Sequence, residues 1–316
     1  MIVPASEQWI VRAADALLAG RLVAFPTETV YGLGADASNG LAVASIFEVK
    51  GRPQFNPLII HIGEPAMARR LARFSENAER LAEAFWPGPL TIVAAKREDA
   101  GIAELATAGL DTIALRVPDH HVARALLERT GLPIAAPSAN RSGHVSPTLA
   151  QHVEDDLGDG PAMILDGGPT PRGIESTIID ASGERPTLLR PGAVAREAVE
   201  EVLGAKLLAP IGGERVTSPG QLASHYAPRA KLRLDAANVD GADALLAFGP
   251  EPLTGAMHVQ NLSEAGDLRE AAANLFKALR SLDATGAETI AVMPIPHEGL
   301  GEAINDRLNR AATGNR

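Results

Sequence analysis

Four times in this chain an apolar, strand-like run breaks at a proline or glycine and delivers polar or cationic side chains at the break. The sites are FPTET at 25–29, LRVP at 115–118, APSAN at 136–140 and LRPG at 189–192. A chain so patterned is constrained to strands inside a layered fold, with its irregular segments gathered at strand ends, where open α/β sheets hold ligands. Capping turns are the competing explanation, since Ser, Thr and Asn beside Pro commonly make them. That explanation serves well for one break and poorly for four.

The periodicity agrees. Ile10, Ala14, Leu17 and Leu18 recur at helical spacing, Gly20 stops the helix, and a strand is expected at 21–25. Further β-like runs lie at 58–62, 91–95, 112–117, 133–136, 162–165, 176–180 and 187–190. Helical patterns separate them at 40–49, 65–85, 119–130, 147–156 and 194–203. The alternation predicts an α/β fold, and the short links within 162–190 require antiparallel pairing too, so the expected sheet is mixed. At 316 residues the chain exceeds the usual reach of one core, and two domains are expected. The Pro-, Gly- and Ser-rich stretch APIGGERVTSPGQLASHYAPRAK after Leu208 reads as a linker, followed by a small parallel α/β unit with a final helix at 301–312.

Composition removes several function classes. A net charge of −10 argues against a protein that coats nucleic acid, and 3% aromatic residues leave little for base stacking. There is no cysteine, hence no disulfide, thiolate zinc site or cysteine nucleophile. No apolar stretch reaches the length of a membrane span and the N-terminus carries no signal pattern, so a cytoplasmic protein without membrane contact is expected. Walker A, GxGxxG, HExxH and GxSxG motifs are all missing, so any nucleotide is bound in some other way.

What remains is a set of scattered cations. In EVKGRPQFNPLIIH (48–61) a Lys50–Gly51–Arg52 turn can aim a point charge and a planar fork at one anion, or can be a solvated basic turn. His61, alone, fits a structural histidine as well as a site residue. In 112–117, Ile113, Leu115 and Val117 face one way and Thr112, Ala114 and Arg116 the other, so Arg116 needs a partner, either an acidic side chain or a ligand carboxylate. Arg190 has the same ambiguity. Tyr226 is the one large anchor in the linker, which suits docking against another surface.

PTETVYGLG, KGRP, NPLIIH, WPGPLT, LRVP, APSAN, GIESTIID, LRPG and SPGQLASHYAP, in this order over the first 230 or so residues, resemble the YrdC-like threonylcarbamoyl-AMP synthases in their longer two-domain form. The tail from Lys231, with GLGEAINDRLNRAA near its end, is similar to the small Rossmann-like domain of that form. The resemblance implies a YrdC-like catalytic domain at 1–205 with a twisted mixed sheet flanked by helices, a linker at 206–229 acting as a lid, and a Rossmann-like parallel domain at 230–316. It implies synthesis of L-threonylcarbamoyl-adenylate and pyrophosphate from L-threonine, bicarbonate or CO2, and ATP. A separate tRNA threonylcarbamoyltransferase would take the product to adenosine 37.

As the resemblance implies, Lys50 and Arg52 are the catalytic pair at the phosphates and bicarbonate. Arg52, Asn56, Ser138, Asn140, Ser146, Arg190 and Tyr226 hold ATP, and Thr29, His61, Thr112, Arg116, Ala136 and Ser176 shape the threonine site. Magnesium enters with the triphosphate and takes no assigned protein ligand, Glu28 being a candidate with an equally good structural reading. Such chemistry needs positioning and charge stabilisation, with no covalent nucleophile, which accounts for cations without a triad. The rival readings are a double-stranded RNA-binding module, with at most weak RNA contact given the charge, and adenylation of another carbamoyl donor.

Overall fold

The structure, a computed structural model, describes residues 1–210, 225–241 and 243–313. Most of the expected lid therefore lies outside the described residues. The chain begins β1 (Ile2–Pro4), α1 (Glu7–Leu18), β2 (Val23–Phe25), β3 (Gly32–Asp36), α2 (Gly40–Lys50), β4 (Ile59–His61), α3 (Pro65–Leu71), β5 (Ala72–Arg73) and α4 (Glu76–Phe85). It continues β6 (Leu90–Lys96), α5 (Glu104–Thr107), β7 (Thr112–Arg116), α6 (His121–Thr130), β8 (Ile134–Ala135), α7 (Ala150–Leu157), β9 (Met163–Asp166), β10 (Thr177–Asp180), β11 (Thr187–Arg190) and α8 (Arg196–Leu203). The C-terminal part adds β12 (Lys231–Arg233), β13 (Ala244–Ala247), β14 (His258–Asn261), α9 (Leu268–Asp283), β15 (Thr289–Val292) and α10 (Leu300–Thr313).

Among the described residues the first half forms one large sheet in the order β1-β9-β2-β3-β8-β4-β7-β6-β10-β11, with β5 on β6. It is mixed, as expected: β4 runs parallel to β7 and β6 to β10, while β2–β3, β3–β8, β6–β7 and β10–β11 are antiparallel. Two details depart from the sequence reading. The helix expected at 65–85 is broken, because Ala72 and Arg73 pair with Lys96 and Ala95 at the edge of β6 and Ser75 then caps a new helix through the Ala78 amide. β3 carries two glycines and no strand signal, and it forms because β2 and β8 pair with it on both sides.

Side-chain alternation sorts the sheet into two faces. Leu33, Ile60, Ile92, Leu115 and Leu188 join α2, α4, α7 and α8 in the main core. On the opposite face Val23, Phe25 and Ile134 pack under α1 and α6, while Ile59, Val93, Ala114, Ile178 and Leu189 make a small separate apolar patch. One of its residues, Ile59, lines the site described below.

The second sheet is wholly parallel, in the order β12-β15-β13-β14, as the sequence predicts for its small α/β unit. Its core is not self-contained: Val30, Val145, Ile174 and Ala193 from the first half share a cluster with Tyr226, Leu275, Phe276 and Leu308. Contact is close enough that Gly173 (φ 67°) has no room for a side chain, since a Cβ there would sit 2.3 Å from the Ala273 carbonyl oxygen on α9. Arg280 bonds Asp156 at 2.7 Å and also the Val145 carbonyl, and Arg196 pairs with Glu302, so ion pairs reinforce the same junction.

Candidate active site

The four strand breaks converge. The strand-ending residues of the parallel neighbours β4 and β7 put His61 beside Arg116 in register. The 26–31 loop folds back because Thr27 bonds the Val30 carbonyl through its hydroxyl (2.7 Å) and amide. Residues beyond it then pair with the APSAN segment: Leu33 N donates to Pro137 O and Ala139 N to Tyr31 O. Tyr31 itself is fully buried and spends its hydroxyl on Gly168 O at 2.8 Å, so it supports the loop from behind. The result is a cleft lined by residues from all four breaks.

At one end lies Arg116, 3% exposed. Its Nη1 donates to Thr29 Oγ1 (3.0 Å), its Nη2 to Glu28 Oε1 (2.6 Å) and its Nε to Gly88 O (3.3 Å). Thr29 also bonds Thr27 hydroxyl to hydroxyl at 2.8 Å. Glu28 uses its other oxygen to accept the Asp119 amide, so both sides of its carboxylate are engaged. His61 is buried, its ring edge-on to Phe25, and its Nδ1 has no partner. Burial, aided by Arg116, lowers its pKa to about 3 and keeps it neutral. A guanidinium fork, a hydroxyl and a neutral imidazole together suit a small polar zwitterion.

At the other end the sheet offers cations. Gly51, left-handed at φ 59°, ends α2 and turns the chain between Lys50 and Arg52. Arg52 is tied to the carbonyls of Asn56 (3.3 Å) and Pro57 (2.9 Å), and burial lowers its pKa to about 10, still a cation at neutral pH. Arg190 bonds the Ser176 carbonyl (2.9 Å) and hydroxyl (3.1 Å), and Ser176 in turn meets Thr91 at 2.8 Å. Asn56 is fully buried with neither amide atom hydrogen-bonded. Such an orphan is uncommon in a folded protein, and Asn56 lies outside the residues that line the cleft.

The C-terminal part closes the cleft. His225 and Tyr226 line it, Tyr226 at a strained φ of 63° with its ring stacked on Phe276 (5.5 Å). Ala227 N holds the turn to Gly143 O at 2.8 Å. Glu175 accepts Ser146 Oγ at 2.5 Å and Arg307 Nε at 2.9 Å.

Of the residues expected from sequence, Thr29, Arg52, His61, Arg116, Ala136, Ser138, Ser176, Arg190 and Tyr226 line the cleft. Ser146 stands behind Glu175. Asn140 braces the adjacent loop through Arg141 O and His144 O, both 2.8 Å. Lys50 points its ammonium at the carbonyls of Ser138 (2.6 Å) and Asn140, so it holds the APSAN loop from beneath. Thr112 is not brought in: it opens β7 opposite Ala95, about 13 Å along the strand from Arg116, because strand residues advance about 3.3 Å each. Glu175, His225 and Arg307 were not singled out by sequence reasoning. All three lay inside quoted motifs, Glu175 in GIESTIID, His225 in SPGQLASHYAP and Arg307 in GLGEAINDRLNRAA, but nothing in those motifs marked them out.

Comparison with known proteins agrees with this geometry. A family model described as telomere recombination matches residues 15–192, and one described as threonylcarbamoyl-AMP synthase, C-terminal domain, matches 194–313. The threonylcarbamoyl-AMP synthase of Pyrococcus abyssi is 43% identical, the alignment spanning 97% of this chain and 95% of that protein. The one from Bacillus subtilis is 42% identical over 98% and 94%. The crystal structure of P. abyssi Sua5 complexed with L-threonine superposes with a TM-score of 0.90 at 41% identity, covering 98% of this chain and 96% of that one. On the match of both halves, over nearly its whole length, this chain belongs to the threonylcarbamoyl-AMP synthase family.

Proposed function

We propose that the cleft makes L-threonylcarbamoyl-adenylate from L-threonine, bicarbonate or CO2, and ATP, releasing pyrophosphate, as the first step of threonylcarbamoylation of adenosine 37 in tRNA. The observation that carries this reading is the presence, in one cleft, of an arginine fork beside Thr29 and His61 at one end and of Arg52 and Arg190 at the other. Threonine sits with its carboxylate on Arg116 and its polar groups on Thr29 and His61. Its amine takes up CO2 to form a carbamate, one proton leaving. A carbamate oxygen then attacks the α-phosphorus of ATP as the bond to the β-phosphate oxygen breaks, and pyrophosphate departs.

Every group needed is a positioning or charge-stabilising one. Arg52 and Arg190 neutralise the charge gathering on the leaving pyrophosphate, and Asn56 gives its unpaired amide to the nucleotide. Lys50 acts through the Ser138–Asn140 loop that it supports. Magnesium bound with the triphosphate would offset phosphate charge. The nearby carboxylates are already engaged, Glu28 by Arg116 and Asp119, Glu175 in the cleft lining by Ser146 and Arg307, so a metal there would be held mainly through the substrate's own oxygens. Glu28 therefore reads as the partner of Arg116. His225 and Tyr226, which line the cleft, help keep water from the carbamate. The product passes to a separate transferase. No helix among the described residues is long and apolar enough to cross a membrane.

The test is pyrophosphate release from ATP and magnesium by the purified protein, omitting threonine and bicarbonate in turn. Release that needs both is expected. Release indifferent to threonine would replace this reading with another use of the same fold.

A further inference from the structure

Arg307 lies on α10, far from every motif of the cleft, and is completely buried. A guanidinium in such a place is costly unless paired, and here only Nη2 has no hydrogen-bond partner among the described residues. Its Nε donates to Glu175 Oε2 at 2.9 Å, its Nη1 to Asp306 Oδ2 at 2.7 Å, and its carbon stands 5.2 Å from the centre of the Tyr226 ring. Asp306 is shared with Arg310 at 3.0 Å. Glu175 gives its other oxygen to Ser146 at 2.5 Å, and Arg190 is a further cation facing it. One arginine of the small unit thus touches two residues that line the cleft, Glu175 and Tyr226, and through Glu175 reaches Ser146 behind the wall.

We propose that Arg307 is a positioning residue for the nucleotide end of the cleft, neutralising Glu175 and fixing Ser146 and Tyr226 so that a polyphosphate can be received there. The proposal rests on the assignment of that end to ATP. Glu175 explains why a fork is needed. It is a buried carboxylate in the wall where a triphosphate is to bind, and without a counter-charge it would repel the ligand. Docking of the two units alone does not require this: the Arg196–Glu302 pair also ties α10 to the first half, with both side chains about 30% exposed and outside the cleft. The C-terminal unit so acquires a part in nucleotide binding without touching substrate.

Steady-state pyrophosphate release decides it, with KM for ATP and for threonine measured separately. Arg307→Gln is expected to raise the ATP KM roughly tenfold or more, as for loss of a buried charge-assisted hydrogen bond, with the threonine KM within about twofold of the parent. Arg307→Lys should recover part of the loss. Adding Glu175→Gln to Arg307→Gln should recover most of it, because the unopposed charge is gone. Arg196→Gln should behave as the parent. An equal rise in both KM values, no recovery in the double variant, or the same defect in Arg196→Gln would overturn the proposal in favour of simple docking. If Arg307→Gln fails to fold by circular dichroism, the Lys variant and the double variant carry the same comparison. Should the parent show no threonine-dependent turnover, the synthase reading falls by itself. Calorimetric titration of parent and variants with a non-hydrolysable ATP analogue then still reads the effect of Arg307.

Discussion

At His61 and His225 the fold controls a proton through burial. Both imidazoles are lowered to about 3, chiefly by desolvation, whereas in the unfolded chain they titrate near 6.5. Between those values the unfolded state binds more protons, so the stability each histidine contributes is fully present above about pH 6.5 and is lost as pH falls. Two such groups give a slope of about 2.7 kcal/mol per pH unit within the window. The urea midpoint should therefore drop from pH 7 to pH 5, and His61→Gln should remove about half of that drop. A parent midpoint flat across this range would show that the two rings are solvated. His61 was legible as a candidate because it follows NPLII at a strand end, but its neutral state was not. That state depends on Phe25 and Arg116, which come from other strands.

Among the elements, β7 and β11 were readable almost to the residue, since each is an apolar run ended by an arginine with a proline just beyond, and alternation in β7 also fixes its face. β3 was not, because Gly32 and Gly34 carry no strand preference and the pairing partners lie far along the chain. The loop after β11 hides another constraint. Gly192 packs so tightly on the start of β10 that a Cβ would lie 2.4 Å from Thr177 N and 2.5 Å from Glu175 O, both backbone atoms that cannot swing aside. The Ala193 amide donates to that same Glu175 carbonyl at 3.0 Å. Gly192→Ala must push the Arg190 loop off the segment that carries Glu175 and Ser176. Overpacking of this kind costs about 1–3 kcal/mol, so the urea midpoint should fall while the ATP KM rises. Unchanged values of both would mean that the loop is free to shift, and that Arg190 is not held by β10.

For the whole molecule, the sequence separates into two α/β units, yet the structure gives them one shared cluster, with Val30 and Ile174 from the first half packed among Leu275 and Leu308. The linker motif announced a connection, whereas Arg307 did not, because an arginine on an amphipathic helix looks the same whether it meets water or a buried carboxylate 132 residues away in sequence. Linkage of ligand to fold makes the connection measurable: a ligand stabilises the elements it engages, and local opening there becomes rarer. Threonine alone should slow amide hydrogen exchange in 27–33, 59–62 and 115–119, around Thr29, His61 and Arg116. ATP with magnesium should slow exchange in 136–140 and also in 304–308, although α10 touches no phosphate. The coupling runs through Glu175 and Tyr226, both of which line the cleft and contact Arg307. Protection of 304–308 by threonine and not by ATP would reverse the assignment of the two ends of the cleft. Protection confined to the first half with either ligand would mean that the two units share a core but not a binding site.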